Sequence, residues 1–148
     1  MNQERLTNRP FDTLAIGDSA SLTRTASRDD IDLFAALSGD VNPAHVDAAF
    51  AAHDPFGHVV VHGMWTGALV SAVLGTQLPG PGTIYLDQTL EFRHPVAPGD
   101  TITATVTVKE KRPDKRIVLL DTRSTNQAGQ VVLTGTATVI APDRPLPG

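Results

Sequence analysis

MWTGALVSAVLGTQL, running from Met64 to Leu78, contains no charged side chain, and Met64, Leu69, Val70, Val73 and Leu74 recur among Gly and Ala so that the run is apolar nearly all round. A helix of that composition is one that its surroundings bury. It begins near Gly63 and stops before Pro79-Gly80-Pro81-Gly82, because proline removes a backbone donor and clashes with the preceding turn. Beyond Gly82 the period changes from helical to alternating. Ile84, Leu86, Leu90 and Phe92 share one parity, and Ile102, Ala104, Val106 and Val108 repeat the pattern with threonines between them. Val131, Leu133, Ala137 and Val139 then alternate with Thr134, Thr136 and Thr138, as half-buried strands do. The 116–125 segment is also strand-like, and Gln127-Ala128-Gly129 supplies the turn into the last strand. Four successive strands of about ten residues joined by short turns predict an antiparallel sheet. Its apolar face needs a cover, and the Met64–Leu78 helix is the one segment long and apolar enough. The class is α+β: a curved antiparallel sheet wrapped around a central apolar helix.

Upstream, Ser27 and Asp30 have capping-box spacing in its weaker Asp form, and Ile31, Phe34 and Leu37 recur on one face of a short amphipathic helix ending near Gly39. Asn42 is a good N-cap and Pro43 suits the first helical position. That places His45 in the first turn of a second helix, expected to reach about Ala52.

A chain of 148 residues is the size of one domain. We place that domain at 11–141, with residues 1–10 and 142–148, polar or proline-rich, as flexible ends. Hydrophobic residues at 41% and charged residues at 19% describe an ordinary globule, and no stretch approaches the ~18 apolar residues of a membrane span. A net charge of −4 argues against general attraction to nucleic acid. With no cysteine, disulfides, thiolate metal sites and cysteine nucleophiles are excluded. The N-terminus lacks the charged and apolar regions of a secretory signal, so the cytoplasm is expected.

Two short elements carry chemistry. In LSGDVNPAH, Leu37 to His45, a carboxylate and an imidazole flank one tight turn, the way an acid/base dyad is built. His62-Gly63-Met64 stands at the head of the apolar helix, where a backbone N–H has no intrahelical partner. The plainer reading of Asp40 and Asn42 is a turn and nothing more, and a lone histidine in a first helical turn is more often a surface residue. His53, His58 and His62 raise the question of a metal. Val59-Val60-Val61 argues for extended chain, which sets His58 and His62 roughly 13 Å apart, too far to grip one ion, and no metal is expected. The basic run Lys109, Lys111, Arg112, Lys115 and Arg116 reads first as a solvated hairpin end, the alternative being contact with an anionic ligand.

Taken together, FAALSGDVNPAH (Phe34–His45), VHGM (Val61–Met64) and FRHPV (Phe92–Val96) through Pro98-Gly99-Asp100 resemble the MaoC-like, (R)-specific enoyl-CoA hydratases, which have the hot-dog fold. The resemblance runs from about Phe11 to Ile140, and SGDxNPxH is its specific element; Ala44 is smaller than the branched aliphatic residue usual before the histidine. It implies reversible addition of water to a trans-2-enoyl thioester, giving the (R)-3-hydroxyacyl product. By similarity Asp40 and His45 grip the water, with the division of proton transfers between them left open. Gly63 N–H then becomes the oxyanion donor, and Asn42 caps the dyad turn. Ser71, eight residues along the helix, either orients the dyad or the water or is a small packing residue. No cofactor is implied beyond the CoA of the substrate. The partners implied are an acyl-CoA or acyl-carrier-protein thioester and a second copy of the chain, in a homodimer with the acyl tunnel at its interface. The rival readings are a (3R)-hydroxyacyl-ACP dehydratase, an acyl thioesterase and a non-catalytic thioester-binding subunit, the last disfavoured by the intact dyad.

Overall fold

The computed structural model describes residues 6–147. A short 3-10 turn at Phe11–Thr13 leads into β1 (Ser19–Thr25), followed by α1 (Arg28–Ser38), α2 (Pro43–Val46), α3 (Ala48–Ala51) and α4 (Gly63–Thr76). The remaining strands are β2 (Ile84–Gln88), β3 (Glu91–Phe92), β4 (Thr101–Arg112), β5 (Ile117–Thr125) and β6 (Val131–Ile140). They form one antiparallel sheet in the order β1-β4-β5-β6-β2, with β3 beside β6. α4 packs across it, chiefly on β4, with further contacts to β1 and β5. This is the expected α+β hot-dog arrangement of a sheet around a central helix.

The core follows from the alternation. Ile102, Ala104, Val106 and Val108 of β4 are buried, as are Val118 and Leu120 of β5 and Leu133, Ala137 and Val139 of β6. They meet Trp65, Leu69, Val70, Val73 and Leu74 of α4. The threonines between them face outward, where Thr23 with Thr103 and Thr25 with Thr101 form cross-strand hydroxyl pairs at 3.0 and 2.8 Å. Among the described residues, no helix is long and apolar enough to cross a membrane.

The elements themselves differ from the sequence reading in several places. The helix expected from Pro43 to Ala52 is two single turns. Asp47 has extended backbone (φ −122°, ψ 103°), and its carboxylate accepts from Ala49 N and Phe50 N, so it caps a new turn rather than continuing the old one. A fifth principal strand, β1, precedes the four expected; SASLTRT carries only Ala20 and Leu22 toward the core, too weak an alternation to read. The strand expected from Ile84 to Phe92 is broken into β2 and β3. Between them Thr89 N and Oγ1 engage Thr136 of β6, and Gly135 admits the Thr89 carbonyl: a Cβ there would lie 1.8 Å from that oxygen. Of the α1 stripe, Ile31 is buried and Phe34 partly so, whereas Leu37 is 87% exposed, because the period continues one turn past the surface that covers it. α4 is covered on one side only: Met64 is 53% exposed, and Ala68 and Ser71 are exposed with it.

The chain ends expected to be flexible are hydrogen-bonded where they are described. Arg9 N donates to Pro79 O at 2.7 Å, Asn8 Nδ2 to Pro81 O at 3.0 Å, and Leu146 N to Asn8 Oδ1 at 3.2 Å. Residues 1–5 and 148, part of that expectation, lie outside the described residues.

Candidate active site

Ser27 caps α1 by accepting from Asp30 N at 3.1 Å, and Gly39 ends the helix in the left-handed region at φ 78°. The chain then reverses through Asp40. Ser38 Oγ accepts from Asp40 N at 3.1 Å, Asp40 Oδ1 accepts from Asn42 N at 3.2 Å, and Asn42 Oδ1 accepts from Ala44 N at 3.0 Å. Asn42 is therefore the cap of α2 that the sequence promised, and its own carbonyl accepts from His45 N at 2.9 Å. Every polar residue of SGDVN fixes the turn's backbone, leaving the outer part of the Asp40 carboxylate open to solvent.

His45 is held against the extended segment that enters α4. Val60 N donates to Ala44 O at 3.2 Å, and His45 Nδ1 lies 2.6 Å from Val60 O. A carbonyl only accepts, so the proton of His45 sits on Nδ1 and the lone pair on Nε2. The imidazole is thus set as a base at Nε2.

A carboxylate oxygen of Asp40, a ring nitrogen of His45 and a ring nitrogen of His62 lie within 4.8 Å of one another. Two hydrogen bonds of about 2.8 Å span such a gap, so the space between carboxylate and imidazole is the size that one water can bridge. The histidine cluster considered from the sequence is not the one that forms. His62 joins Asp40 and His45, its ring stacked on that of His45 at 4.0 Å between centroids and 28° between planes, and its Nε2 lies 3.0 Å from Asp40 O. Each ring sets one nitrogen against a backbone carbonyl, Val60 O for His45 and Asp40 O for His62.

Gly63 opens α4, so its amide has no carbonyl one turn back to receive it. It lines the same cleft as His45, of about 380 Å³, together with Phe56, Phe92, His94 and Val132. The need for glycine differs from the expected one. A Cβ at residue 63 would stand 2.8 Å from the Phe92 ring, so it is the side-chain position on Cα that this ring takes up. Phe92 and His94 were visible in the FRHPV stretch; what hid their place was that only folding brings β3 against the head of α4.

Ser71 is not brought to the dyad within the chain. It stands about 12 Å along the helix axis from Gly63, in a second groove of about 530 Å³ with Phe34, Met64, Tyr85, Leu86 and Leu90. The basic run is largely engaged: Lys111 Nζ donates to Leu14 O at 2.7 Å and lies over the Phe11 ring, Arg116 Nε donates to Ala141 O at 3.1 Å, and Lys109 and Arg112 pair with Asp121 and Glu110.

Comparison with known proteins gives a consistent result. Residues 13–129 match the model of the family described as MaoC like domain. An (R)-specific enoyl-CoA hydratase of Rhodospirillum rubrum is 49% identical over 144 residues, 97% of this chain and 99% of that protein. One from Aeromonas caviae is 46% identical over 130 residues, 88% of this chain and 97% of that protein. Among solved structures, an unliganded R-hydratase from Pseudomonas aeruginosa superposes with a TM-score of 0.91 at 48% identity, covering 95% of this chain and 90% of that one.

Proposed function

The chain belongs to the MaoC-like domain family, and on that premise we propose that it is an (R)-specific enoyl-CoA hydratase, a hydro-lyase that reversibly adds water to a trans-2-enoyl thioester. The observation that carries the reading is the pairing of Asp40 and His45 across a gap that one water spans, beside the free amide of Gly63.

The roles we assign follow from the local geometry. Water is gripped between the Asp40 carboxylate and Nε2 of His45, whose Nδ1–H is occupied by Val60 O. As the water oxygen bonds to C3, the dyad takes one of its protons and returns one proton to C2, so the pair ends as it began. Acid–base action of this kind contributes typically 10²–10⁴-fold. Between those events the thioester oxygen carries negative charge, and Gly63 N–H, at the positive end of α4, is the donor placed to receive it. The acyl portion fits the apolar walls supplied by Phe56, Val61 and Phe92. Nothing in this scheme calls on a cofactor or metal; CoA arrives with the substrate.

We assign the working unit as a homodimer. Among the described residues β2 is an edge strand paired only with β6, and an exposed apolar edge invites pairing with another chain. Ile84, Tyr85 and Leu86 on it are exposed, alongside Met64 on the open side of α4. A second copy set against this face accounts for an apolar helix that one chain covers on a single side, and it gives Ser71 a role at that contact rather than at the dyad of its own chain.

The test is direct. Supplied with crotonyl-CoA and longer trans-2-enoyl-CoAs, the protein should remove the conjugated-thioester absorbance without releasing thiol, and the product should be the (R)-3-hydroxyacyl thioester. Thiol release points to a thioesterase, and binding without turnover to a thioester-binding subunit; either result overturns the assignment.

A further inference from the structure

His62 is 2% exposed at the entrance to α4, and the chemistry above does not use it. Its ring is held between two others, that of Phe34 from α1 at 4.7 Å and that of His45 from α2 at 4.0 Å. From the turn joining those helices, Asp40 offers its backbone carbonyl 3.0 Å from Nε2. A carbonyl accepts and never donates, so the His62 proton belongs on Nε2. Nδ1 is buried without any hydrogen-bond partner. A donor at that position would have no acceptor to meet, so the geometry fits a bare Nδ1. The titratable groups that face this ring are Asp40 and His45, and a cation on His62 would lie directly against the imidazole that must receive a proton.

We propose that His62 is a positioning residue for the dyad: in its neutral Nε2–H form it fixes the main chain of Asp40 by hydrogen bond and carries the ring of His45 on its face. One side chain then sets both members of the pair without touching substrate. The two imidazoles have opposite tautomers for the same reason. Each gives its proton to a backbone carbonyl, but the ring of His45 lines the cleft, whereas the remaining nitrogen of His62 is buried without a hydrogen-bond partner. The proposal deepens the hydratase reading and rests on it for the meaning of the dyad, yet the state of the His62 ring is measurable whatever the activity.

Two measurements test it. Imidazole 15N spectra of the wild-type protein should show His62 protonated at Nε2 and bare at Nδ1 across the pH range of activity, with His45 protonated at Nδ1. A proton on Nδ1 of His62, or an imidazolium there forming in step with His45, overturns the proposal. The second is a pair of variants assayed with crotonyl-CoA. His62→Phe keeps a ring and loses the donor, while His62→Gln keeps a donor near the place of Nε2 and loses the stack. A dyad displaced by about an ångström costs on the order of 10²-fold, so kcat in the Phe variant should fall by about that factor with KM little changed, and the Gln variant should recover part of the loss. A wild-type kcat in His62→Phe, or losses in both variants that simply follow their melting temperatures, overturns it. If neither variant folds, the wild-type spectra decide. Absence of hydration by the wild type removes the hydratase reading, and the spectra still report on the ring.

Discussion

The Nδ1–H of His45 ends on the carbonyl of Val60, 2.6 Å away and fifteen residues further along the chain. That bond ties the SGDVNPAH turn to the segment feeding α4, and it leaves Nε2 as the only basic site of the ring. On the roles proposed above, His45→Ala removes the base and Asp40→Asn the charge that orients the water. Each should lower kcat for enoyl-CoA hydration by about 10²–10⁴-fold. Both side chains are at least partly exposed, so thermal melts should stay near wild type. A variant retaining wild-type turnover removes that residue from the mechanism.

Gly135 meets the carbonyl of Thr89 so closely that a methyl group has no place to go. The obstruction is backbone, and relief requires moving β6 or the β2–β3 connection. Gly135→Ala should therefore cost more than the usual overpacking range of about 1–3 kcal/mol, and a chemical denaturation series on the two proteins would measure the difference. A neutral result would mean that this connection shifts freely.

Arg24 and Asp30 form a two-point ion pair at 2.6 and 3.0 Å, joining β1 to the first turn of α1. The hydrogen bond from the Arg24 guanidinium holds the Asp30 carboxyl below its ordinary value, against the opposing effect of burial. A depressed carboxyl contributes stability that is present above the unfolded value, about 3.9, and lost as pH falls through the folded one. Asp30→Asn should melt lower than wild type at neutral pH, and the gap should close below about pH 4. An equal gap at pH 3 and pH 7 would deny the linkage.

On the open side of α4, Met64 lies beside Leu86 of the edge strand. Leu86→Lys places a charge on the surface assigned to the second copy, and should shift the light-scattering mass in solution from dimer to monomer. A monomeric wild type, or a variant that stays dimeric, would place the interface elsewhere.

Asp47 separates two helical turns that one helix would have joined, accepting from Ala49 N and Phe50 N at 3.0 and 3.1 Å. Asp47→Ala should cost about 1 kcal/mol of stability, with a smaller effect on kcat than any change at Asp40. Melting and steady-state assays on the same preparation separate the two.

What could be read from the sequence divides along a physical line. Ile102 to Val108 and the α4 run were legible because each buries its pattern inside one chain, where period and burial coincide. Ser19–Thr25 escaped notice because an edge strand that buries little carries little alternation. Ile84, Leu86 and Phe92 alternate correctly as strand, yet their side chains are exposed to 55%, 51% and 54%, so the alternation there does not report burial within the chain. At the site, the Asn42 cap and the turn between Asp40 and His45 were legible because turn and cap chemistry is local. His62 against His45, and Phe92 against Gly63, were not, because tertiary packing alone creates those contacts.

Trp65, the single tryptophan of the chain, lies buried in α4 two residues beyond Gly63. Its indole is therefore a built-in optical gauge. Emission should redden when the central helix loosens from the sheet, so fluorescence alone, with no label attached, can follow whether the ground beneath the Gly63 amide holds firm in each of the variants above.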